Sequence, residues 1–216
     1  MERRIVTIAD IVGSRSLPDR SAAQRAIEDA VTRVERDAPA AEQPLVATVG
    51  DEFQAVHTEL SAALRSLLLL QLALPEGIEL RFGVGVGGVR AVDSRTELIS
   101  DGPGWWAARD AIEAVHRLQD RGMPKARIRV VGAPEEDADM MSQIRMANAY
   151  LLARDELVGA MSSRARRLTY GRWAGRTQRE LAEEEGISQP AVSQMLAAAG
   201  SAALLAGLSA LEGDDR

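Results

Sequence analysis

The chain has 216 residues and a formal net charge of -6, long enough for one sizeable core or for a domain with a small module. The acidic balance argues against a surface coated in basic charge for non-specific nucleic-acid binding, although charge can be segregated along a chain. With 0 Cys, disulfide frameworks, thiolate zinc sites and Cys nucleophiles are excluded, and 2 His (His57 and His116) are a poor basis for a His-rich metal site or a His-based triad.

Met1–Arg4 leads directly into a strand-like run, so no signal peptide is expected. Ile5–Val12 has the β-branched, apolar character of a buried strand. The loop Gly13–Asp19 precedes a helix over Arg20–Arg36, with Ala23, Ile27, Ala30, Val31 and Val34 on one face. Asp37–Pro44 reads as a polar connection. Leu45–Val49 and Phe53–His57 flank Gly50-Asp51-Glu52 and predict a β-hairpin with acids at its tip. A helix follows from Glu59 to Leu72, ended by Pro75 and Gly77. Its run Leu64–Leu74 is too short to span a bilayer and contains Arg65 and Gln71, so a cytoplasmic protein with no membrane partner is expected.

Glu79–Val89 predicts a strand whose glycines suggest close backbone approach; no helix opens there, so it is not a dinucleotide fingerprint. Arg90–Ser100 reads as a loop or irregular arm. Asp101-Gly102-Pro103-Gly104 breaks the chain before a helix over Trp105–Arg121. Ala126–Val131 predicts a short strand, Asp137–Ala160 a long helix, and Met161–Trp173 a basic, largely helical stretch. The order β-α-β-β-α-β, then α-β, points to an α+β ferredoxin-like domain with helices on one face of the sheet.

If the first strand and the hairpin are neighbours, Asp10 and Asp51 converge at one sheet edge. Converging carboxylates repel unless a cation lies between them, and oxygen ligands suit Mg²⁺ holding a phosphate. The plainer alternative is that Asp51 and Glu52 are solvated turn residues.

Thr177–Leu196 carries a helix-turn-helix pattern. Thr177 with Glu180 makes a capping box, Gly186 allows the turn, Ile187 plugs the junction, and Ser188 and Pro190 start the second helix. Arg176, Thr177 and Gln178 at the first helix, and Ser188, Gln189, Ala191, Ser193 and Gln194 on the second, are the expected DNA-binding residues. Arg164, Arg166, Arg167, Arg172, Arg176 and Arg179 could hold phosphates or pair with the nearby glutamates. Ala198–Leu211 is apolar and helical, and is expected either to close this module's core or to pair with its copy in a homodimer. The expected division is residues 1–136, a connecting helix over 137–163, and an all-α helix-turn-helix domain over 164–216.

Ala9–Ser14, Gly50–Phe53, Arg81–Val84 and Gly102–Arg109, in that order, resemble the motifs of class III nucleotide cyclases, and Gly50–Phe53 also resembles the end of the GGDEF signature of diguanylate cyclases. The chain is similar to the SatD family around Asp10, GDEFQ and DGP…ARDAI, and the helix-turn-helix resembles that of sigma-factor-like bacterial regulators. The cyclase resemblance implies that Asp10 and Asp51, with the carbonyl of Ile11, hold Mg²⁺. It also implies that the turn through Val12, Gly13 and Ser14, with Gly50, receives nucleotide phosphates, and that Arg109 neutralises their charge. Trp105 stands where cyclases place a catalytic asparagine, and could stack on a base or fill the core. Losing that asparagine removes a hydrogen bond aimed at the transition state. The expectation is a transcriptional regulator that binds double-stranded DNA and senses a linear or cyclic nucleotide with Mg²⁺, without efficient cyclisation. The alternative is an active Mg²⁺-dependent cyclase or nucleotidyltransferase with an accessory helix-turn-helix.

Overall fold

The computed structural model describes residues 1–92 and 99–213. In chain order the strands are β1 (Glu2–Ile11), β2 (Ala41–Ala47), β3 (Glu52–His57), β4 (Leu80–Val92), β5 (Ile99–Asp101) and β6 (Ile128–Gly132). The helices are α1 (Arg20–Asp37), α2 (Leu60–Ala73), α3 (Pro103–Asp120), α4 (Ala138–Ala160), α5 (Ser163–Trp173), α6 (Gln178–Glu185), α7 (Gln189–Ala198) and α8 (Ser201–Glu212), with a 3-10 turn at Ser14–Ser16.

The protein is a mixed α+β structure. Its sheet runs β2-β3-β1-β4-β5, and β6 also pairs with β4. Pairing is antiparallel throughout except for β4 with β6, which is parallel. The order β2-β3-β1-β4 is that of the split βαβ arrangement expected from the sequence.

Alternation along β1 divides the sheet between two helical layers. Ile5, Ala9 and Ile11 face a core shared with Ile27 of α1, Leu68 of α2 and Leu151 of α4. Val6 and Ile8 face the opposite way, onto Ala108 and Ile112 of α3. The expectation of helices on one face therefore holds for α1 and α2 but not for α3. The glycines of β4 are the reason. A Cβ on Gly83 would fall on the backbone of Ala108 and Ile112, and one on Gly85 on the backbone of Gly104 and Ala108. Alternate glycines let α3 lie directly on the strand, while Phe82, Val84 and Val86 fill the other face.

Three further boundaries differ from the sequence reading. β2 begins at Ala41 and includes Pro44, which an edge strand with an irregular register tolerates. Arg90–Ser100 is not all loop: β4 reaches Val92 and β5 begins at Ile99, while residues 93–98 lie outside the described residues. The apolar stretch after α7 forms α8, whose Leu204 and Leu208 enter the main core with α2. It closes that core rather than only the helical module, because the leucine-rich α2 offers the larger apolar face. The outer edge of β6 is met by side chains of α4: Asn148 donates to and accepts from Val130, and Asp155 accepts from the N–H groups of Arg127 and Ile128.

Candidate functional site

The acids expected at the sheet end are set by register. Asp10 lies opposite Glu52 on β3 and opposite Arg81 on β4. Asp51 is one step beyond the pairing, in the turn, with no hydrogen bond or ion pair among the described residues. Gly50 has φ 68°, the left-handed conformation that glycine takes without strain, and its carbonyl accepts from Arg20 Nη2 at 3.3 Å. The acids placed side by side are thus Asp10 and Glu52.

Each of these two carboxylates has an internal cation. Arg81 Nε donates to Asp10 Oδ1 at 2.7 Å, and its Nη1 contacts His116 Nδ1 and Gln119 Oε1, both at 3.1 Å. A guanidinium only donates, so His116 Nδ1 is the acceptor and the ring proton sits on Nε2, 3.2 Å from Asp10 Oδ2. Arg109 grips Glu52 with both terminal nitrogens, at 2.7 and 3.1 Å, and Gln54 donates to the same carboxylate at 3.0 Å. Burial pushes the Glu52 carboxyl up, but hydrogen bonds from Arg109 and Gln54 outweigh it and hold it below the usual range. Arg109 is spent on Glu52. Sequence reasoning missed Arg81, His116 and Gln119; the available signal was that Arg109 and His116, seven apart, share one face of α3.

Beyond Asp10 the chain turns sharply. Val12 N–H donates to Glu79 O at 2.9 Å, Gly13 takes φ 65°, and Ser16 N–H and Oγ both donate to Gly13 O. The result is an open cleft lined by Ile11, Gly13, Ser14, Arg15, Ser16 and Arg81. Ile11, Gly13 and Ser14 are therefore brought together. Trp105 is not: its indole N–H donates to Ser100 Oγ at 2.9 Å and its ring packs against the Val6–Ile112 cluster, while Trp106 is the exposed one.

These residues do not fit a divalent ion as arranged. Both Asp10 oxygens already face donors, and a metal there would lie against the Arg81 guanidinium, a like charge. Asp51 has no second acid registered beside it, and among the described residues no three acid or imidazole groups are placed to hold a metal.

At the other end of the chain, α6 and α7 meet through Gly186 at φ 64°. Thr177 Oγ1 accepts from Glu180 N–H at 3.2 Å and Thr177 N–H donates to Glu180 Oε2 at 2.7 Å, which closes the capping box. Ser188 Oγ accepts weakly from Ala191 N–H. Leu168, Leu181, Ala182, Val192 and Leu196 form a small cluster of their own. Ser188, Gln189, Ser193 and Gln194 are exposed, Ala191 and Gln178 partly so, and Thr177 and Arg176 lie at the exposed start of α6. The arginines are largely paired with glutamates of α6: Arg164 and Arg167 with Glu185, Arg176 with Glu184, Arg179 with Glu183. No single helix among the described residues is long and apolar enough to cross a membrane.

Comparison with known proteins adds the following. A family model described as the SatD family matches residues 4–206. Among curated proteins none matches. Among solved structures, a bacterial light-regulated adenylyl cyclase is similar at 16% identity and a TM-score of 0.42, over 54% of this chain and 41% of that one. The monomeric guanylyl cyclase domain of the RhoGC fusion protein from the aquatic fungus Blastocladiella emersonii is similar at 17% identity and 0.43, over 52% and 75%. An adenylate cyclase of Trypanosoma brucei in its monomeric state is similar at 18% identity and 0.41, over 50% and 66%. The likeness is partial and concerns fold, not activity.

Proposed function

The chain belongs to the SatD family, and we propose that it is a DNA-binding regulator that takes up a nucleotide at the end of its sheet. The observation that carries this reading is the outward face of α7. Val192 and Leu196 turn inward, which leaves Ser188, Gln189, Ser193 and Gln194 in solvent at its start. A capped helix, a left-handed glycine and a second helix with polar, uncharged residues at its N-terminal end follow the pattern of a helix-turn-helix, which supports this reading. Such a motif lays its second helix in the major groove, where Gln pairs bidentately with adenine. One copy has little surface for this, and two-fold operators match two-fold proteins, so the active form is a homodimer.

Two features support the nucleotide. The Gly13 turn opens a cleft with Arg15 and Arg81 in its wall, and the ordered motifs resemble those of nucleotide cyclases. A physical route joins the two ends. α1 runs from the cleft turn to Asp37, where Tyr170 of α5 donates to Asp37 Oδ2 at 2.9 Å and Arg33 stacks 4.3 Å over the Tyr170 ring. α5 also supplies Leu168 to the α6–α7 cluster. The alternative, an active Mg²⁺-dependent cyclase, needs an Asp10 carboxylate free for metal, and Arg81 with His116 already engages it.

Selection from a random duplex pool against non-specific competitor tests the DNA reading. The purified chain is expected to enrich a two-fold sequence, and Gln189→Ala with Gln194→Ala should cost about 1–3 kcal/mol per lost base contact without lowering Tm. Failure to enrich any duplex would remove it.

A further inference from the structure

We infer that the cation meeting the ligand's phosphates is Arg81, a residue of the sheet itself, so that polyphosphate binding in the cleft needs no divalent ion. This rests on the nucleotide site proposed above. Three acceptors fix the guanidinium: Nε is held by Asp10 at 2.7 Å, and Nη1 by His116 and Gln119 at 3.1 Å. Gln119 is itself anchored, donating from Nε2 to Ala126 O at 2.8 Å. That leaves Nη2, which has no protein partner among the described residues, on a side chain that lines the cleft. Its two N–H bonds suit phosphate oxygens. Because the group is already immobilised, binding costs it little rotamer freedom.

The rest of the wall agrees. Arg15 is exposed on the same cleft and has no carboxylate partner among the described residues, and Ser14 and Ser16 add hydroxyls. Asp10, the acid that would otherwise hold a metal, has its charge balanced by Arg81. Its role is that of a positioning residue for the guanidinium. Arg109, the cation expected from sequence, is committed to Glu52 and is not part of this wall.

The test is calorimetric titration of the full chain with inorganic tripolyphosphate, ATP and GTP, each in Mg²⁺ and in EDTA. Tripolyphosphate and at least one nucleotide are expected to bind at least as tightly in EDTA as in Mg²⁺. Arg81→Gln and Arg15→Gln should each weaken binding about 10- to 100-fold. Arg15→Gln changes an exposed residue and so keeps the test valid if Arg81→Gln does not fold. Binding that appears only with Mg²⁺ and is lost in Asp10→Asn would overturn the assignment to Arg81 while keeping the nucleotide reading. Tripolyphosphate binding in EDTA with no nucleotide bound would uphold Arg81 and remove the nucleotide. No binding of any probe would overturn both.

Discussion

His57, at the end of β3, is only 2% exposed, and neither ring nitrogen has a hydrogen-bond partner among the described residues. It borders a small cavity with Ser66 of α2 and Glu35 of α1. Burial first, and then the charge of Arg65, push its pKa from 6.5 down to about 4. A group depressed in the folded state contributes stability above its unfolded pKa and loses it as pH falls through the folded one. Stability should therefore decline between pH 6.5 and about 4, by up to about 3 kcal/mol from this residue. The Glu35 carboxyl, raised by burial, works in the opposite sense. Urea titrations across this window should show a flatter profile for His57→Leu; an unchanged profile would mean the imidazole is not the acid-sensitive group. The sequence showed a histidine in an apolar strand, but not that both nitrogens would be closed off, which depends on how α1 and α2 cover the sheet. Asp10 was legible as a strand-end acid. Its partner Arg81 was not, because cross-strand register, not local sequence, sets them opposite each other.

Among the elements, β4 decides how the layers stack. Its glycines were read as sites of close approach, and α3 is what approaches. Which face α3 would take was not legible, since β4 is apolar on its other positions and periodicity alone does not say which side a later helix covers. A methyl on Gly85 has no room, because the atoms in its way belong to the helix backbone and cannot swing aside. Gly85→Ala should cost at least about 2 kcal/mol, near the range typical of overpacked cores, and should shift α3 away from the sheet. Since α3 carries Arg109, His116 and Gln119, the same change should disturb both ion pairs at the sheet end. Denaturation midpoints and the histidine ring resonances report these effects. A fully stable Gly85→Ala protein would show that α3 does not rest on β4 as described. The edges were the least legible: β2 was read four residues short because Pro44 argues against a central strand and only weakly against an edge.

At the scale of the whole molecule, the C-terminal helices divide their allegiance. α5 and α8 send Tyr170, Leu204 and Leu208 into the main core, while α6 and α7 keep a cluster of their own. The local cap and turn chemistry of α6 and α7 was legible in full, since it depends on residues a few positions apart. The docking of α8 on α2 was not, because an apolar helix does not name its partner. This arrangement makes α5 the junction between the sheet-end cleft proposed for the nucleotide, reached through α1 and Asp37, and the outward face of α7. A ligand changes DNA affinity only if it binds two states of that junction differently, and the effect must be reciprocal. The most direct measurement is the affinity of the selected duplex for the full chain, by fluorescence anisotropy, with and without the nucleotide that binds. A coupled regulator predicts a change of about 5-fold or more, with nucleotide affinity changing by the same factor when DNA is present. Equal DNA affinity at saturating nucleotide would contradict regulation by the sheet-end site.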